Sequence, residues 1–186
     1  EYYAKQPEFL STTIVENGTF LNSRALPSFG YSANGELSDD DTRRKHGLPP
    51  KERMADVDDL EARRNTYISH DADWIDFDAV VCTDPDQRAI APGYLEEEFD
   101  RGDRRCFRYA MDAPILNFYA FLSGRYEIRK DAWHDVAIEV WYHHDHAYNV
   151  DRMIDASRKA LEYYTVEIGP YQHRQLRIVE FPRYAS

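Results

Sequence analysis

The feature that most limits the fold of this 186-residue chain is a strand-like alternation of apolar and polar residues between positions 74 and 143. A period of two residues places alternate side chains on opposite faces of a strand. In WIDFDAVVCT (74–83), the apolar members of the alternation are Ile75, Phe77, Ala79 and Val81. Further strands are predicted near residues 86–91, 104–111, 116–128 and 135–143. Short turns between successive strands favour antiparallel pairing, so we expect a mainly β fold, either a sandwich or an open sheet.

Two features upstream of these strands modify that framework. In STTIVENGTFLN (11–22), the dipeptide Asn17-Gly18 predicts a hairpin with a type I′ turn. Segment 36–74 is instead dominated by charged residues, and Ser38 before three aspartates predicts a capped helix. A second short helical piece is predicted around Val57–Arg63, and we interpret the whole segment as a solvated insertion.

The apolar period becomes helical after Asn149, which is a favourable N-cap residue. The apolar stripe of this helix comprises Val150, Ile154, Leu161, Tyr164 and Ile168. Gly169-Pro170 is predicted to end the helix, and QLRIVEF (175–181) is typical of a largely buried strand that is apolar on both sides. Because the sequence stops soon afterwards, we expect Leu176–Phe181 either to find an unusual partner, such as another copy of the chain, or to remain poorly packed.

Net charge, apolar runs and cysteine spacing bear on the expected partners and cellular compartment of the chain. The net charge of −11 repels phosphate backbones and anionic lipid headgroups, so nucleic acid is not an expected partner. No apolar run reaches about 18 residues, and the start at Glu1 without a leader indicates a removed leader or a longer parent protein. Cys82 and Cys106 lack C-x-x-C spacing; free, half-buried thiols are the favoured interpretation, and one disulfide is the alternative.

The histidines invite a search for a metal site. In YHHDHAY (142–148), a continuing strand would place His144 and His146 on one face and His143 on the other, so at most two imidazoles converge. We interpret the cluster as a solvated loop entrance, with adventitious metal binding as the alternative. The sequence contains no H-E-x-x-H motif, and we assign no metal-binding residue.

Catalytic and cofactor-binding patterns are equally scarce. Ser123-Gly124 lies in an aromatic strand and is interpreted as a β-bulge. The three consecutive carboxylates of Glu96, Glu97 and Glu98 diverge instead of pairing across a cleft, which is typical of a charged loop or an edge strand. We therefore assign no catalytic residue and no cofactor-binding residue.

Several stretches resemble aminopeptidase-N-like zinc metallopeptidases, the gluzincin family that includes leukotriene hydrolase. Those that match the segment before the family's active site are MDAPILNFYAFLSGRYE, DVAIEVWYHH, VDRMIDASRKALEYYTVEIG and PYQHRQLRIVEFP. Upstream, FDAVVCTDPDQRAIAPGYLEEE is similar to a hairpin of the family, whereas NGTFLNSRALPSFGY departs from its pattern at Ser28 and Gly30. The resemblance is strongest to the peptidase-like regions of bacterial ABC-type transporter permeases, carried by YISHDADW, AIAPGYL, MDAPILNFY and EFPRYAS.

The resemblance implies a division of the chain. Residues 1–147 would form the latter part of an N-terminal β saddle domain, with 36–74 as a charged insertion. Residues 148–186 would form the opening helix and strand of a truncated thermolysin-like catalytic domain. The family's Gln or Glu that receives the free amine of the peptide would fall near Gly18–Phe20, where neither residue type occurs. Zinc is expected in the parent protein, with no cofactor in this part of it.

The resemblance also implies function. The first expectation is a noncatalytic part of an aminopeptidase-like zinc metallopeptidase, whose β domain covers the active-site cleft and whose partners are a peptide substrate and the rest of the catalytic domain. The alternative is an extracytoplasmic binding or scaffold module of an ABC transporter permease without peptidase activity, with the membrane region in the same polypeptide. A third hypothesis is an independent adhesive or scaffolding sandwich. The implied location is the extracytoplasmic side of a bacterial membrane, with the chain itself soluble, and a homo-oligomer could form through the edge of the last strand.

Overall fold

A computed structural model of the chain describes residues 13–15, 18–22, 35–51, 55–62 and 74–181. These residues form mostly antiparallel β-sheets with one long helix followed by a strand, as predicted. The chain divides into a larger unit, Glu1–Leu21, Phe77–Asp112 and Ala120–Ser186, and a smaller unit, Asn22–Asp76 and Ala113–Tyr119. None of the helices described is both long and apolar enough to cross a membrane.

The elements follow one another along the chain as short strands interrupted by few helices. The strands are β1 (Ile14–Val15), β2 (Gly18–Asn22), β3 (Trp74–Ile75), β4 (Asp78–Thr83), β5 (Arg88–Ile90), β6 (Tyr94–Arg101), β7 (Arg104–Ala110), β8 (Ile115–Leu116), β9 (Ala120–Gly124), β10 (Tyr126–Trp133), β11 (Val136–His143) and β12 (Gln175–Val179). The helices whose bounds lie within the described residues are α1 (Asp40–Lys45), a 3-10 helix (His144–Asn149) and α2 (Val150–Glu167).

The smaller unit contains the charged segment and the antiparallel pair β3–β8. Helix α1 is capped by Asp39, whose carboxylate accepts the backbone N–H of Thr42 at 2.8 Å, so the prediction of Ser38 as the cap is wrong by one residue. The second predicted helical piece is wrong at its start, because residues 57–61 run mainly through turns. There the Asp59 carboxylate accepts the backbone N–H groups of Glu61 and Ala62, which is the bonding pattern of a helix N-cap, and Ala62 has 3-10 geometry. Arg63 lies outside the described residues.

The larger unit holds three sheets, with strand orders β1-β2-β9-β5, β4-β7-β6 and β10-β11-β12. The predicted hairpin near the start is confirmed as β1–β2, with Val15 opposite Gly18. Gly18 is therefore the first residue of β2 and not a turn residue, as the prediction of an Asn17-Gly18 turn required, and Asn17 lies outside the described residues. The single strand predicted over 116–128 is wrong, because the chain changes sheet after Gly124: β9 pairs with β5, whereas β10 pairs with β11.

A disulfide joins Cys82 on β4 to Cys106 on β7, so the favoured interpretation of two free thiols is wrong. The two residues are direct partners in the antiparallel register, with their Cα atoms 4.0 Å apart. Such close Cα atoms are typical of the non-hydrogen-bonded pairs of an antiparallel ladder, in which opposing side chains approach each other most closely. Strand register therefore accounts for the pairing.

The end of the chain forms a β–α–β unit. Helix α2 covers the inner face of β11, and the packed residues are Val136, Ile138, Val140, Val150, Ile154 and Leu161. The helix crossover lets β12 pair with β11 in parallel, with Ile138 opposite Leu176. Strand β12 thus has a partner within its own chain, forms one edge of its sheet and is half-buried along its length, in contrast to the expectation of an unusual partner or poor packing.

Candidate functional site

A groove of about 360 Å³ in the larger unit is the candidate binding site. Its walls come from the β1–β2 hairpin, from the end of β4 and the turn after it, and from β9. A Cβ atom at Gly18 would lie 2.1 Å from the carbonyl oxygen of Ser123, so the close approach of β2 to β9 requires glycine. Gly18 and Thr19 line the groove, and they belong to the segment where the resemblance placed the family's substrate-binding residues.

The floor of the groove is a network of buried, uncharged polar side chains. Thr83, Gln87 and Ser123 are 5%, 9% and 8% exposed. The Ser123 hydroxyl donates to Gln87 Oε1 at 2.7 Å. Thr83 Oγ1 lies 2.9 Å from Ser123 Oγ and 3.0 Å from Gln87 Oε1, so its single proton can serve only one of them at a time. The network can therefore exchange partners when a polar ligand enters.

This chemistry suits binding and not hydrolysis. A nucleophilic serine needs an adjacent general base, and neither the amide of Gln87 nor the hydroxyl of Thr83 can accept a proton at neutral pH. The bulge predicted at Ser123-Gly124 is absent from the pairing of β9 with β5, where Ala89 lies opposite Ser123 and Arg88 opposite Gly124 in regular register. A register shift does occur between Leu95 and Glu97 on β6. Thr83 and Gln87 were not identified from the sequence, because neutral polar residues that come together from separate elements, as these two do with Ser123, have no characteristic spacing.

The carboxylates of Glu96–Glu98 lie on β6, an edge strand of its sheet, which is one of the two settings expected for them. Glu98 binds Arg105 and lies 3.5 Å from Arg88, whereas Glu96 lies 3.5 Å from Arg174. Glu96 and Glu98 therefore serve different surface ion pairs instead of meeting in a cleft.

The histidine cluster lies where β11 passes into the 3-10 helix. Among the residues described, the ligand atoms of His143, His144 and Asp145 lie within 4.8 Å of one another. This grouping differs from the expected one, because the chain leaves the extended conformation after His143, so His143 and His144 no longer point to opposite faces. Their ring centroids are 4.4 Å apart, and His146 contacts Glu180 instead.

A second set of polar residues ties β12 to its neighbours. Arg177 on β12 lies 3.3 Å from Glu139 on β11, and Trp141 donates its indole N–H to the same carboxylate at 2.9 Å. Burial opposes ionisation of Glu139, but the Trp141 hydrogen bond and the charges of Arg177 and Lys130 outweigh it and hold the pKa of Glu139 below its ordinary value. Nearby, burial raises the pKa of Tyr109 to about 12. This cluster is structural, because its side chains satisfy one another.

Comparisons with known proteins find the fold of this chain within larger peptidases. No family model and no curated protein matches the sequence. The M1 zinc metallopeptidase from Deinococcus radiodurans matches 61% of this chain with a TM-score of 0.53 and 16% identity. Aminopeptidase A from Legionella pneumophila, solved with aspartic acid, matches 60% of it with a TM-score of 0.54 and 14% identity. The chain spans 28% and 14% of the lengths of these two proteins, and at such identities the likeness establishes an aminopeptidase-like fold.

Proposed function

We propose that this chain is a noncatalytic part of a larger aminopeptidase-like zinc metallopeptidase, in which its β-sheets cover the active-site cleft. The observation that carries the proposal is the aminopeptidase-like fold, shared with a zinc metallopeptidase and with an aminopeptidase, of each of which the chain spans a minor part. In this proposal residues 1–147 are the latter part of a β saddle domain, with 36–74 inserted, and residues 148–186 open the catalytic domain. The catalytic zinc and its general base belong to the rest of the parent protein.

The groove gives the β domain a role in that activity. Its floor offers neutral donors and acceptors, and the flanking Arg104 and Asp84 form an exposed pair 3.6 Å apart, so the rim carries no strong net charge. A short peptide in extended form presents backbone amides that such a floor can bind. We propose that the groove holds part of a peptide substrate on its way to the catalytic domain.

Hydrolysis of aminoacyl-anilides tests this function. The longer protein encoded by the same reading frame is expected to turn over the anilide, to lose activity with a chelator and to regain it with Zn²⁺, whereas residues 1–186 alone show no turnover. Thr83→Val, which removes a hydroxyl from the groove floor at similar volume, is expected to raise KM in the longer protein with little change in kcat. Turnover by residues 1–186 alone, or a parent reading frame without H-E-x-x-H, would contradict the proposal.

The second candidate is an extracytoplasmic binding or scaffold module of an ABC transporter permease without peptidase activity. The disulfide between Cys82 and Cys106 favours an oxidising compartment outside the cytoplasm, which this candidate requires. It predicts apolar segments of about 20 residues elsewhere in the reading frame and no H-E-x-x-H motif. The reading frame therefore separates the two candidates. In either case the outer edge of β12 could pair with the rest of the parent protein or with a second copy of the chain. Sedimentation of the isolated chain would show a dimer in the second case and a monomer in the first.

A further inference from the structure

The junction between β11 and the 3-10 helix gathers donor atoms that the proposed function does not use. His143 is the last residue of the strand, and the helix starts at His144. The turn brings two imidazoles and the Asp145 carboxylate to one side of the chain, with His144 Nε2 3.0 Å and His143 Nδ1 3.8 Å from carboxylate oxygens of Asp145. Such a set of ligand atoms is unlike the salt bridges elsewhere on this surface, because it contains two nitrogen donors that coordinate metals.

We propose that His143, His144 and Asp145 form a binding site for a divalent transition-metal ion of the zinc class. Imidazole nitrogen with one carboxylate oxygen is a donor set that suits Zn²⁺, Ni²⁺ and Cu²⁺, whereas Mg²⁺ and Ca²⁺ prefer oxygen ligands. Three protein ligands leave at least one coordination position to water. The site stands on these residues alone and does not depend on the peptidase proposal.

The geometry requires little rearrangement. Ligand atoms around a tetrahedral Zn²⁺ lie about 3.4 Å apart, given metal–ligand distances near 2.1 Å. The three candidate atoms already lie within 4.8 Å of one another. The His144 and Asp145 side chains are 61% and 68% exposed, so they are free to adjust their rotamers, whereas His143 at 25% supplies a more fixed ligand.

Glu180, which follows β12, positions the junction. Its Oε2 accepts the backbone N–H of His143 at 2.8 Å, and its own N–H donates to the carbonyl of Trp141 at 2.9 Å. Its other oxygen contacts Nδ1 of His146, whose ring centroid lies 5.6 Å from that of His143. The Glu180 carboxylate therefore fixes the backbone at His143 and adds negative charge beside a bound cation.

Titration with Zn²⁺ tests the site, using residues 1–186 without a histidine tag. Calorimetry and equilibrium dialysis are expected to show one saturable site for Zn²⁺ and none for Mg²⁺ or Ca²⁺. His144→Ala and Asp145→Asn, which alter exposed side chains, are each expected to weaken binding about tenfold or more. His173→Ala, at another exposed histidine, serves as the matched control and is expected to bind as the unmodified chain does.

Two further measurements distinguish metal binding at this site from metal binding elsewhere on the chain and from the proposed peptidase function. Co²⁺ in place of Zn²⁺ is expected to give a visible absorption band that His144→Ala reduces and His173→Ala preserves. In the longer protein, His144→Ala is expected to leave peptidase turnover unchanged, so failure of the metal site and failure of the proposed function give different results. Absence of saturable Zn²⁺ binding, equal weakening by His173→Ala, or equal affinity for Ca²⁺ would overturn the proposal.

Discussion

Arg177 and Glu139 form a nearly buried ion pair across the parallel strands β12 and β11, with Nε 3.3 Å from the carboxylate and side chains only 10% and 13% exposed. The same guanidinium lies 5.4 Å from the ring centroids of both Tyr109 and Trp141, and Nη1 lies 3.4 Å from the carbonyl oxygen of Ala91. One side chain of β12 therefore contacts β11, β7 and the end of β5, which ties the last strand into the β-sheets of the larger unit.

Replacing Arg177 with methionine is expected to destabilise the chain by about 3 kcal/mol, because it leaves the Glu139 carboxylate buried without its cation. Urea unfolding followed by circular dichroism measures the loss. Adding Glu139→Gln to this variant removes the uncompensated charge and is expected to restore part of the stability.

Arg174 on the preceding turn provides a matched control. It stacks over Tyr94 and lies 3.5 Å from both Glu96 and Asp112, but its side chain is 57% exposed. Arg174→Met is therefore expected to cost less than about 1 kcal/mol. Equal losses for the two arginines would contradict a special role for Arg177.

The acid limb of the stability curve is expected to depend on Glu139. Its pKa is held below the ordinary value in the folded chain, so the unfolded chain binds a proton at a higher pH than the folded one. The stability that ionised Glu139 contributes is fully present above the ordinary glutamate pKa of about 4.3. It is lost as pH falls through the lower pKa that Glu139 has in the folded chain. Urea unfolding at a series of acidic pH values is expected to show a shallower fall for Glu139→Gln than for the unmodified chain. Parallel curves would assign the acid sensitivity to other carboxylates.

The disulfide is expected to contribute about 3.5 kcal/mol, the value that loop-closure entropy gives for a sequence separation of 24 residues. The double variant Cys82→Ala/Cys106→Ala tests this by urea unfolding in the absence of reductant. Reductant is expected to destabilise the unmodified chain and to leave the double variant unchanged. Because Cys106 is fully buried, reduction is also expected to require opening of the sheet. A thiol-alkylating reagent added with reductant should therefore label the cysteines only under conditions that unfold the chain.

Local periodicity made the architecture predictable where one face of an element is buried. Ile138 and Val140 alternate with more exposed neighbours on β11, and the apolar stripe of α2 is buried as far as Leu161, so both elements were identified. The last two predicted members of the stripe, Tyr164 and Ile168, are exposed. Strand β6 was harder to predict, because Glu96–Glu98 are exposed and the alternation disappears in an edge strand.

Features that depend on register or on where an element ends were not predictable. The pairing of Cys82 with Cys106 requires the alignment of β4 with β7, and β5 and β6 intervene between them in the sequence. The convergence of His143 with His144 depends on the strand ending at that residue. The groove floor joins Thr83, Gln87 and Ser123 from different elements, which no local pattern records.

Packing of α2 on β11 predicts unequal effects of truncation along the helix. Leu161 is 6% exposed in the apolar cluster, whereas Val166 is 78% exposed. Leu161→Ala is expected to cost about 2–4 kcal/mol, since it removes buried methyl groups and leaves a cavity. Val166→Ala is expected to change stability by less than about 0.5 kcal/mol. Thermal unfolding of the two variants measures the difference, and similar midpoints would contradict the described packing.

Tyr109 is expected to set part of the alkaline limit. Its hydroxyl donates to the carbonyl of Ala89 at 2.9 Å, and burial raises its pKa to about 12. A raised pKa means that the neutral phenol stabilises the fold fully below the unfolded value of about 10, and that this stability is lost as pH rises towards 12.

Tyr109→Phe is expected to lower the free energy of unfolding by about 1 kcal/mol near neutrality, because the hydrogen bond is lost. The free energy of unfolding of this variant is expected to fall less steeply over the alkaline range than that of the unmodified chain. Tyr163→Phe, at a side chain that is 62% exposed, is the control and should follow the unmodified chain throughout. If the stability of Tyr109→Phe falls in parallel with that of the unmodified chain at alkaline pH, another group causes the alkaline loss of stability. Tyr126, whose pKa is also raised by burial, is then the next residue to test.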